Sequence, residues 1–172
     1  MSYGKRKKVT KRGKTKPGNR FLRALFTLLL LACIVFIFAN SSEIESVSSS
    51  KSQLVTQWLN RLMKQWGIGF VFTEFLVRKL AHFSEYTLLG FWLILTLRIY
   101  TKRMMAHIAW PLFLGLLTAV SDELYQMFVP GRGSRILDVA IDFGGVVCGL
   151  LCGYIALLLV RKIFRFKKSG NQ

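Results

Sequence analysis

Three stretches of this 172-residue chain decide its fold: RKLAHFSEY at residues 78–86, SDELYQMFVPGRGSR at 121–135 and LDVAIDFGG at 137–145. Each one places ionisable residues near one end of a long hydrophobic segment. An ionisable residue at the centre of a membrane helix costs roughly 2.5–3.5 kcal/mol, so it generally faces protein or water and has a partner. The pattern therefore predicts membrane helices whose polar ends meet.

Basic residues and apolar residues are concentrated in different parts of the chain. Hydrophobic residues make up 52% of the sequence, yet the formal net charge is +17. Ten Lys or Arg lie in residues 1–23 and five in 161–172, whereas the part between them holds ten basic and eight acidic residues. Basic tails beside apolar spans are typical of binding to anionic lipids at the cytoplasmic face, where each Lys or Arg contributes about 1 kcal/mol. A nucleic-acid binder would carry this charge on a folded surface, so we expect lipids and no nucleic acid as partners.

The apolar runs predict an all-α polytopic membrane protein, a bundle of about four transmembrane helices plus an amphipathic interfacial helix. A run of about 20 apolar residues crosses the hydrocarbon core of a bilayer. Within a membrane domain at 21–160, the predicted spans are residues 21–40, 78–97, 104–128 and 137–160. The first span favours an uncleaved anchor over a signal peptide, because its apolar run and the basic tail before it are both unusually long.

The segment between the first two spans has two parts. Seven serines in residues 40–52 indicate a linker. Residues 54–66 alternate apolar and polar pairs, which places Trp58 and Trp66 on one apolar helix face, and glycines then end the helix. Such a helix either lies in the membrane interface or packs on the bundle, and periodicity does not separate the two.

Basic residues orient the predicted spans. The tail 1–20, the link RIYTKR at 98–103 and the tail 161–172 are strongly basic, so the positive-inside rule places them in the cytoplasm. We predict that 1–20 is disordered, because it has almost nothing apolar to bury. All eight carboxylates then fall at the outer side. Acids contribute little to orientation, so their segregation is an independent observation. The sequence predicts a multi-pass protein with both termini in the cytoplasm.

Helical spacing places the polar residues on inward faces of the spans. His82 and Glu85 share a face of the second span, and Asp122 and Gln126 form an i, i+4 pair on the third. The fourth span carries a single row of acidic and small residues: Asp138, Asp142, Gly145, Gly149 and Gly153. The glycines form a doubled GxxxG, a pattern that lets membrane helices approach closely. The acidic face and the close-packing face are therefore the same face.

The turn between the third and fourth spans adds cations to these acids. It contributes Arg132 and Arg135, and a guanidinium group binds carboxylate or phosphate bidentately. The carboxylate oxygens suit a hard divalent cation such as Mg²⁺ or Ca²⁺, which leaves a metal cofactor as an open alternative. The three cysteines lie in apolar runs and indicate neither a disulfide nor a zinc finger.

The order of these motifs resembles the VanZ-like family of bacterial membrane proteins. The specific part is HFSEYTLLG at 82–90 followed by SDELYQMFVPGRGSRILDVAIDFGGVVCG at 121–149, and the likeness extends over about 21–160. It implies a location in the bacterial cytoplasmic membrane and an association with low-level resistance to the glycopeptide teicoplanin, with no established catalytic residue. The matched positions are the candidate functional residues: His82, Glu85, Tyr86, Asp122, Glu123, Gln126, Arg132, Asp138 and Asp142.

Several functions fit these residues. The cluster could bind an anionic cell-envelope molecule or cell-wall precursor, with His82 or a carboxylate as general base if the protein is an enzyme. The protein could instead be non-enzymatic and alter how a glycopeptide reaches its target, with 54–66 as the contact surface. In a third interpretation the cluster is a scaffold that only holds helices together, with His82 bridging Asp122 or Asp138. A transporter is the weakest fit, because the polar groups stop at one end of the spans.

Overall fold

The computed structural model describes residues 17–133 and 135–169. Most of the predicted disordered tail, Ser134 and residues 170–172 lie outside the described residues. The described chain forms a short 3₁₀ turn, Met104–His107, and five α-helices: α1 Pro17–Ser41, α2 Glu45–Gln65, α3 Glu74–Tyr100, α4 Ala109–Gln126 and α5 Ile136–Ser169. The predicted all-α class is confirmed, because every regular element in these ranges is helical. α5 continues into the predicted C-terminal tail.

Three helices are long and apolar enough to cross a membrane: Arg20–Ser41, Glu74–Tyr100 and Ile136–Ile163. α4, with 18 residues, is not among them, because its last turns carry Asp122, Glu123 and Gln126. The predicted count of about four spans is therefore not confirmed. The apolar side chains of α4 remain largely exposed, with Phe113 at 56% and Leu117 at 48%, which is compatible with contact to lipid.

The prediction of a linker at residues 40–52 is wrong, since only residues 42–44 separate α1 from α2. Serine disfavours helix interiors because its hydroxyl competes for backbone groups. Here, however, the hydroxyl of Ser49 donates to the carboxylate of Glu74 on α3. Contacts with another helix therefore override the local preference.

The amphipathic segment forms the second half of α2 and ends at a glycine. Gly67 has a positive φ of 67°, and the backbone N–H of Ile68 donates to Met63 O at 2.9 Å, as in a Schellman cap. No residue of α2 is buried, and Trp58 and Trp66 are 59% and 66% exposed. This exposed apolar face favours the interfacial interpretation over a helix packed on the bundle.

α3 and α5 form the most extensive helix pair of the bundle. A Cβ added at Gly149 would lie 1.9 Å from the carbonyl oxygen of Thr87, and one at Gly90 would lie 2.1 Å from that of Val146. The two backbones therefore touch, and a side chain at either glycine is excluded. Gly145 and Gly153 also face α3. The small-residue row of α5 thus packs against α3.

The apolar core lies between α1, α3, α4 and α5. Its buried side chains are Cys33, Ile37, Tyr86, Leu89, Leu93, Ile94, Ala119, Val146 and Leu150. α1 packs mainly on α3, and α4 packs on α5 and α3. At one end of this core the buried side chains become polar, and that end holds the candidate site.

Candidate functional site

Four helices bring their polar ends together at one end of the bundle, which we call the polar end. α1 and α4 contribute residues near their C-termini, whereas α3 and α5 contribute residues near their N-termini. The alternating direction of the helices therefore gathers segments that are distant in sequence. The buried polar side chains at this end are Ser41, Asp122, Glu123, Gln126 and Asp142.

Asp122 is the most enclosed carboxylate of the polar end, with no exposed surface. Its Oδ2 accepts hydrogen bonds from Ser41 Oγ at 2.9 Å and from Gln126 Nε2 at 3.1 Å. The hydroxyl of Tyr86 lies beside this carboxylate, yet neither Tyr86 Oη nor Asp122 Oδ1 completes a hydrogen bond of acceptable geometry. One oxygen of Asp122 is thus fixed, and the other is left without a partner.

Glu85 is held by the end of α1. Asn40 Nδ2 donates to Glu85 Oε1 at 2.7 Å, and Glu85 Oε2 is buried without a hydrogen-bond partner. The backbone carbonyl of Asn40 in turn accepts from Arg132 Nη2 at 3.3 Å. Asn40 therefore connects α1 both to α3 and to the turn between α4 and α5.

Two of the predicted site acids are engaged in contacts that hold the structure together. Lys79 Nζ lies 2.5 Å from Asp138 Oδ1, which ties α3 to α5. Glu123 Oε1 accepts the backbone N–H of Arg135 at 2.6 Å, which ties α4 to the start of α5. These two carboxylates are therefore less available to a ligand than the other acids of the polar end.

His82, Asp122 and Asp142 form a group of potential metal ligands at the polar end. One ligand atom of each lies within 4.8 Å of the others. Asp142 is 2% exposed, and the Nδ1 atom of His82 is buried without a hydrogen-bond partner. We call these three residues the triad. An imidazole and two carboxylates could hold a divalent cation.

Two cavities adjoin the polar end. A groove of about 230 Å³ lies where α2 crosses it, and Arg78, His82, Glu85, Arg132 and Lys51 are among its lining residues. A much smaller cavity of about 10 Å³ lies between Lys79, Gln126, Asp138, Asp142, Glu123 and His82. A space of that size holds about one water molecule. His82 lines both cavities.

Arg132 has an unusual position for a cation. Its Nε is buried without a hydrogen-bond partner, and none of the ion pairs within the described ranges includes it. Burial lowers the pKa of Arg132 from its ordinary value, and the nearby Arg78 lowers it further, while Asp122 opposes the shift. Each of the first two effects disfavours the charged guanidinium, so a nearby anion would be stabilising.

Two residues of the site were not anticipated from the sequence. Asn40 and Ser41 lie in the segment predicted as a linker, yet they contact Glu85 and Asp122. The only signal in the sequence is that they directly follow the apolar run that forms α1. A helix end at that position would meet the polar ends of the other helices. Periodicity alone does not identify which elements they reach.

A comparison with known families identifies a relationship. A protein-family model described as VanZ/LLP1 matches residues 24–159, a range that includes the polar parts of all four helices. No curated protein and no solved structure matches the chain.

Proposed function

The chain belongs to the VanZ/LLP1 family, and we propose that its polar end binds an anionic cell-envelope molecule. The expected class is a lipid-linked phosphate or pyrophosphate, or a cell-wall precursor that carries one. VanZ-like proteins are linked to glycopeptide resistance, and glycopeptides act on the cell envelope. Binding of an envelope molecule would connect the polar end to teicoplanin susceptibility.

The observation that carries this proposal is the unpaired guanidinium of Arg132 in the groove. Its one hydrogen bond to protein is with the carbonyl of Asn40, and no carboxylate of the described ranges lies within ion-pair distance. A planar guanidinium is suited to bidentate contact with phosphate. Asp122, Glu43 and Glu45 lie near enough to stabilise this charge in part, but none contacts it directly, so an anion in the groove would be its direct ionic partner.

The rest of the groove fits an amphiphilic anion. Arg78 and Lys51 add positive charge, which their ion pairs with Glu74, Glu45 and Glu43 partly neutralise. Glu85 adds negative charge to the same lining, so Arg132 is the cation that an anion would contact. Val55, Val77 and Ala81 also line the groove and provide an apolar side. A polar head group near Arg132 and an apolar chain toward the helices would match both kinds of surface.

We also expect membrane lipids to bind at the other end of the bundle, away from the polar end. A cavity of about 670 Å³ is lined there by four cations, Arg98, Lys102, Arg103 and Arg161, together with apolar residues. This cavity lies away from the candidate site, so its size does not make it the functional centre. Its charge supports the expectation that anionic lipids bind at the cytoplasmic face.

A scaffold remains the second candidate function. The interlocked hydrogen bonds among Ser41, Asp122 and Gln126 favour it, because they satisfy buried groups and join α1 to α4 without any ligand. Under this alternative the polar end would only stabilise the bundle. Changing Arg132 would then alter the amount of folded protein and nothing else.

A direct test uses Arg132→Gln in a strain where the intact gene raises teicoplanin resistance. The matched control is Arg61→Gln, the same change at an exposed position of α2 outside the groove. We expect Arg132→Gln to abolish the added resistance at unchanged membrane abundance, whereas Arg61→Gln keeps it. Purified protein should bind a polyprenyl pyrophosphate at least about tenfold more weakly after Arg132→Gln, because hydrogen bonds to charged groups contribute about 1.5–3 kcal/mol.

Two results would contradict the proposal. The first is equal affinity of the intact protein and Arg132→Gln for the pyrophosphate. The second is loss of resistance that only follows loss of the protein from the membrane, which would favour the scaffold.

A further inference from the structure

We propose that His82, Asp122 and Asp142 form a binding site for a divalent transition-metal ion, with Zn²⁺ as the representative case. The site would lie between α3, α4 and α5, beside the groove. This inference goes beyond the anion-binding proposal and does not depend on it, because it uses none of the cationic side chains that line the groove.

The first support is the convergence of three ligands from three helices. Their ligand atoms lie within 4.8 Å of one another. Ligands of a tetrahedral Zn²⁺ lie roughly 3.4 Å apart, because each bond is about 2.0–2.1 Å long. The ion would bring the three ligand atoms closer together by rotation of their side chains. Movement of α5 relative to α3 is not available, since backbone contact at Gly145 and Gly149 fixes these two helices.

The second support is independent of the clustering. Asp122 is wholly buried, and its Oδ1 has no hydrogen-bond partner of acceptable geometry. Hydrogen bonds from Ser41 and Gln126 hold the opposite oxygen, Oδ2, and so restrain the position of the carboxylate. Outer contacts of this kind orient metal-binding carboxylates in known sites. The hydroxyl of Tyr86 lies beside the carboxylate without completing a hydrogen bond to it, so Oδ1 is available as a ligand atom.

The charge balance also points to a cation. Neither Asp122 nor Asp142 takes part in an ion pair within the described chain, while the nearby Lys79 is engaged with Asp138. Burying a carboxylate without a compensating charge is costly. A single divalent ion would compensate both carboxylates at once.

The ligand types select the class of ion. An imidazole nitrogen suits Zn²⁺ and related transition metals, whereas Ca²⁺ requires six to eight oxygen ligands. Three protein ligands also leave a fourth coordination position open, as in catalytic zinc sites. The small cavity beside His82 and Asp142 has room for one water molecule at such a position.

The test measures metal bound to the purified full chain. The protein is prepared in detergent after tag removal and chelation, in a Cys148→Ser, Cys152→Ser background, because neighbouring thiols on one helix face also bind Zn²⁺. We expect about one Zn²⁺ per chain by elemental analysis after gel filtration. Asp122→Asn with Asp142→Asn should weaken Zn²⁺ binding by at least about tenfold.

Asp138→Asn combined with Lys79→Met is the matched control, since it removes a carboxylate one turn away on the same helix, outside the triad, without freeing the ammonium of Lys79 to pair with Asp142. This control should keep the ion. Arg132→Gln should also keep the ion, and this result would separate metal binding from the anion binding proposed for Arg132. If the double variant of the triad does not fold, His82→Gln serves instead. With Co²⁺ in place of Zn²⁺, this variant should lose the intense visible absorption of a four-coordinate site that the intact protein shows. Equal Zn²⁺ binding by the intact protein and the triad variants, or equal loss with the Lys79→Met, Asp138→Asn control, would overturn the proposal.

Discussion

Ser41 Oγ at the end of α1 donates a hydrogen bond of 2.9 Å to Oδ2 of Asp122 on α4, 81 positions further along the chain. Both residues have no exposed surface. The bond therefore joins two helices at the polar end and holds one carboxylate of the triad in place.

Ser41→Ala should destabilise the bundle. It removes one donor from a buried carboxylate, which costs about 1–3 kcal/mol. The measurement is the free energy of unfolding in detergent. Ser42→Ala is the control, because the hydroxyl of Ser42, directly after α1, is exposed and donates only to the nearby backbone oxygen of Ala39. Equal destabilisation by both changes would contradict a specific role for the bond between α1 and α4.

Gly149→Ala should separate α3 from α5. The added Cβ would lie 1.9 Å from Thr87 O, a backbone atom that cannot move without its helix. Overpacking of this kind costs about 1–3 kcal/mol. At Gly144 the nearest atom to an added Cβ is 3.8 Å away, so Gly144→Ala should stabilise the helix by about 0.5–1 kcal/mol. Melting temperatures of the two variants should therefore shift in opposite directions.

Lys79 and Asp138 should be energetically coupled. Their charged atoms lie 2.5 Å apart, and the side chains are only 18% and 17% exposed. A double-mutant cycle with Lys79→Met and Asp138→Asn should give an interaction energy of about 0.5–3 kcal/mol. A cycle on the more exposed pair Lys51 and Glu43 should give less, because solvent screens it. The reverse order would contradict the assignment of Asp138 as a structural acid.

The orientation predicted from the basic segments can be measured with cysteines. In a background without the native cysteines, Gly133→Cys should react with an impermeant thiol reagent added outside the cell, because an added side chain there meets nothing within 4 Å. Lys102→Cys, at the opposite end of α3, should react only after the membrane is opened. Labelling of Lys102→Cys in intact cells would reverse the predicted topology.

Periodicity and hydropathy were sufficient for the fold class, whereas the family followed from the resemblance of the ordered motifs at 82–90 and 121–149 and was confirmed by the family-model match. The row of Gly145, Gly149 and Gly153 predicts a helix face that packs closely against a neighbouring helix. In the structure, this face packs against α3. Hydropathy was less decisive for α4, because Asp122 and Glu123 belong to the same helix as its apolar residues. The number of spans is therefore harder to predict than the helices themselves.

The selection of residues within the site could not be predicted from the sequence. Asp138 and Asp142 are one turn apart and chemically identical, yet one pairs with Lys79 and the other lies in the triad. The rotation of α5 against α3 and α4 decides this difference, and rotation is a property of packing. For the same reason, Asn40 and Ser41 could not be assigned to the site before α1 was placed.

The backbone contact between α3 and α5 has a consequence for the genetics of this protein. Gly145 lies three residues from Asp142, and a Cβ there would lie 2.6 Å from the carbonyl oxygen of Phe83, the neighbour of His82. A change at this glycine would move an imidazole and a carboxylate relative to each other without altering either one. Random mutagenesis for loss of function should therefore recover substitutions at Gly145 and Gly149 as well as at the ionisable residues. A second mutation that adds a charged side chain should not rescue the glycine substitutions.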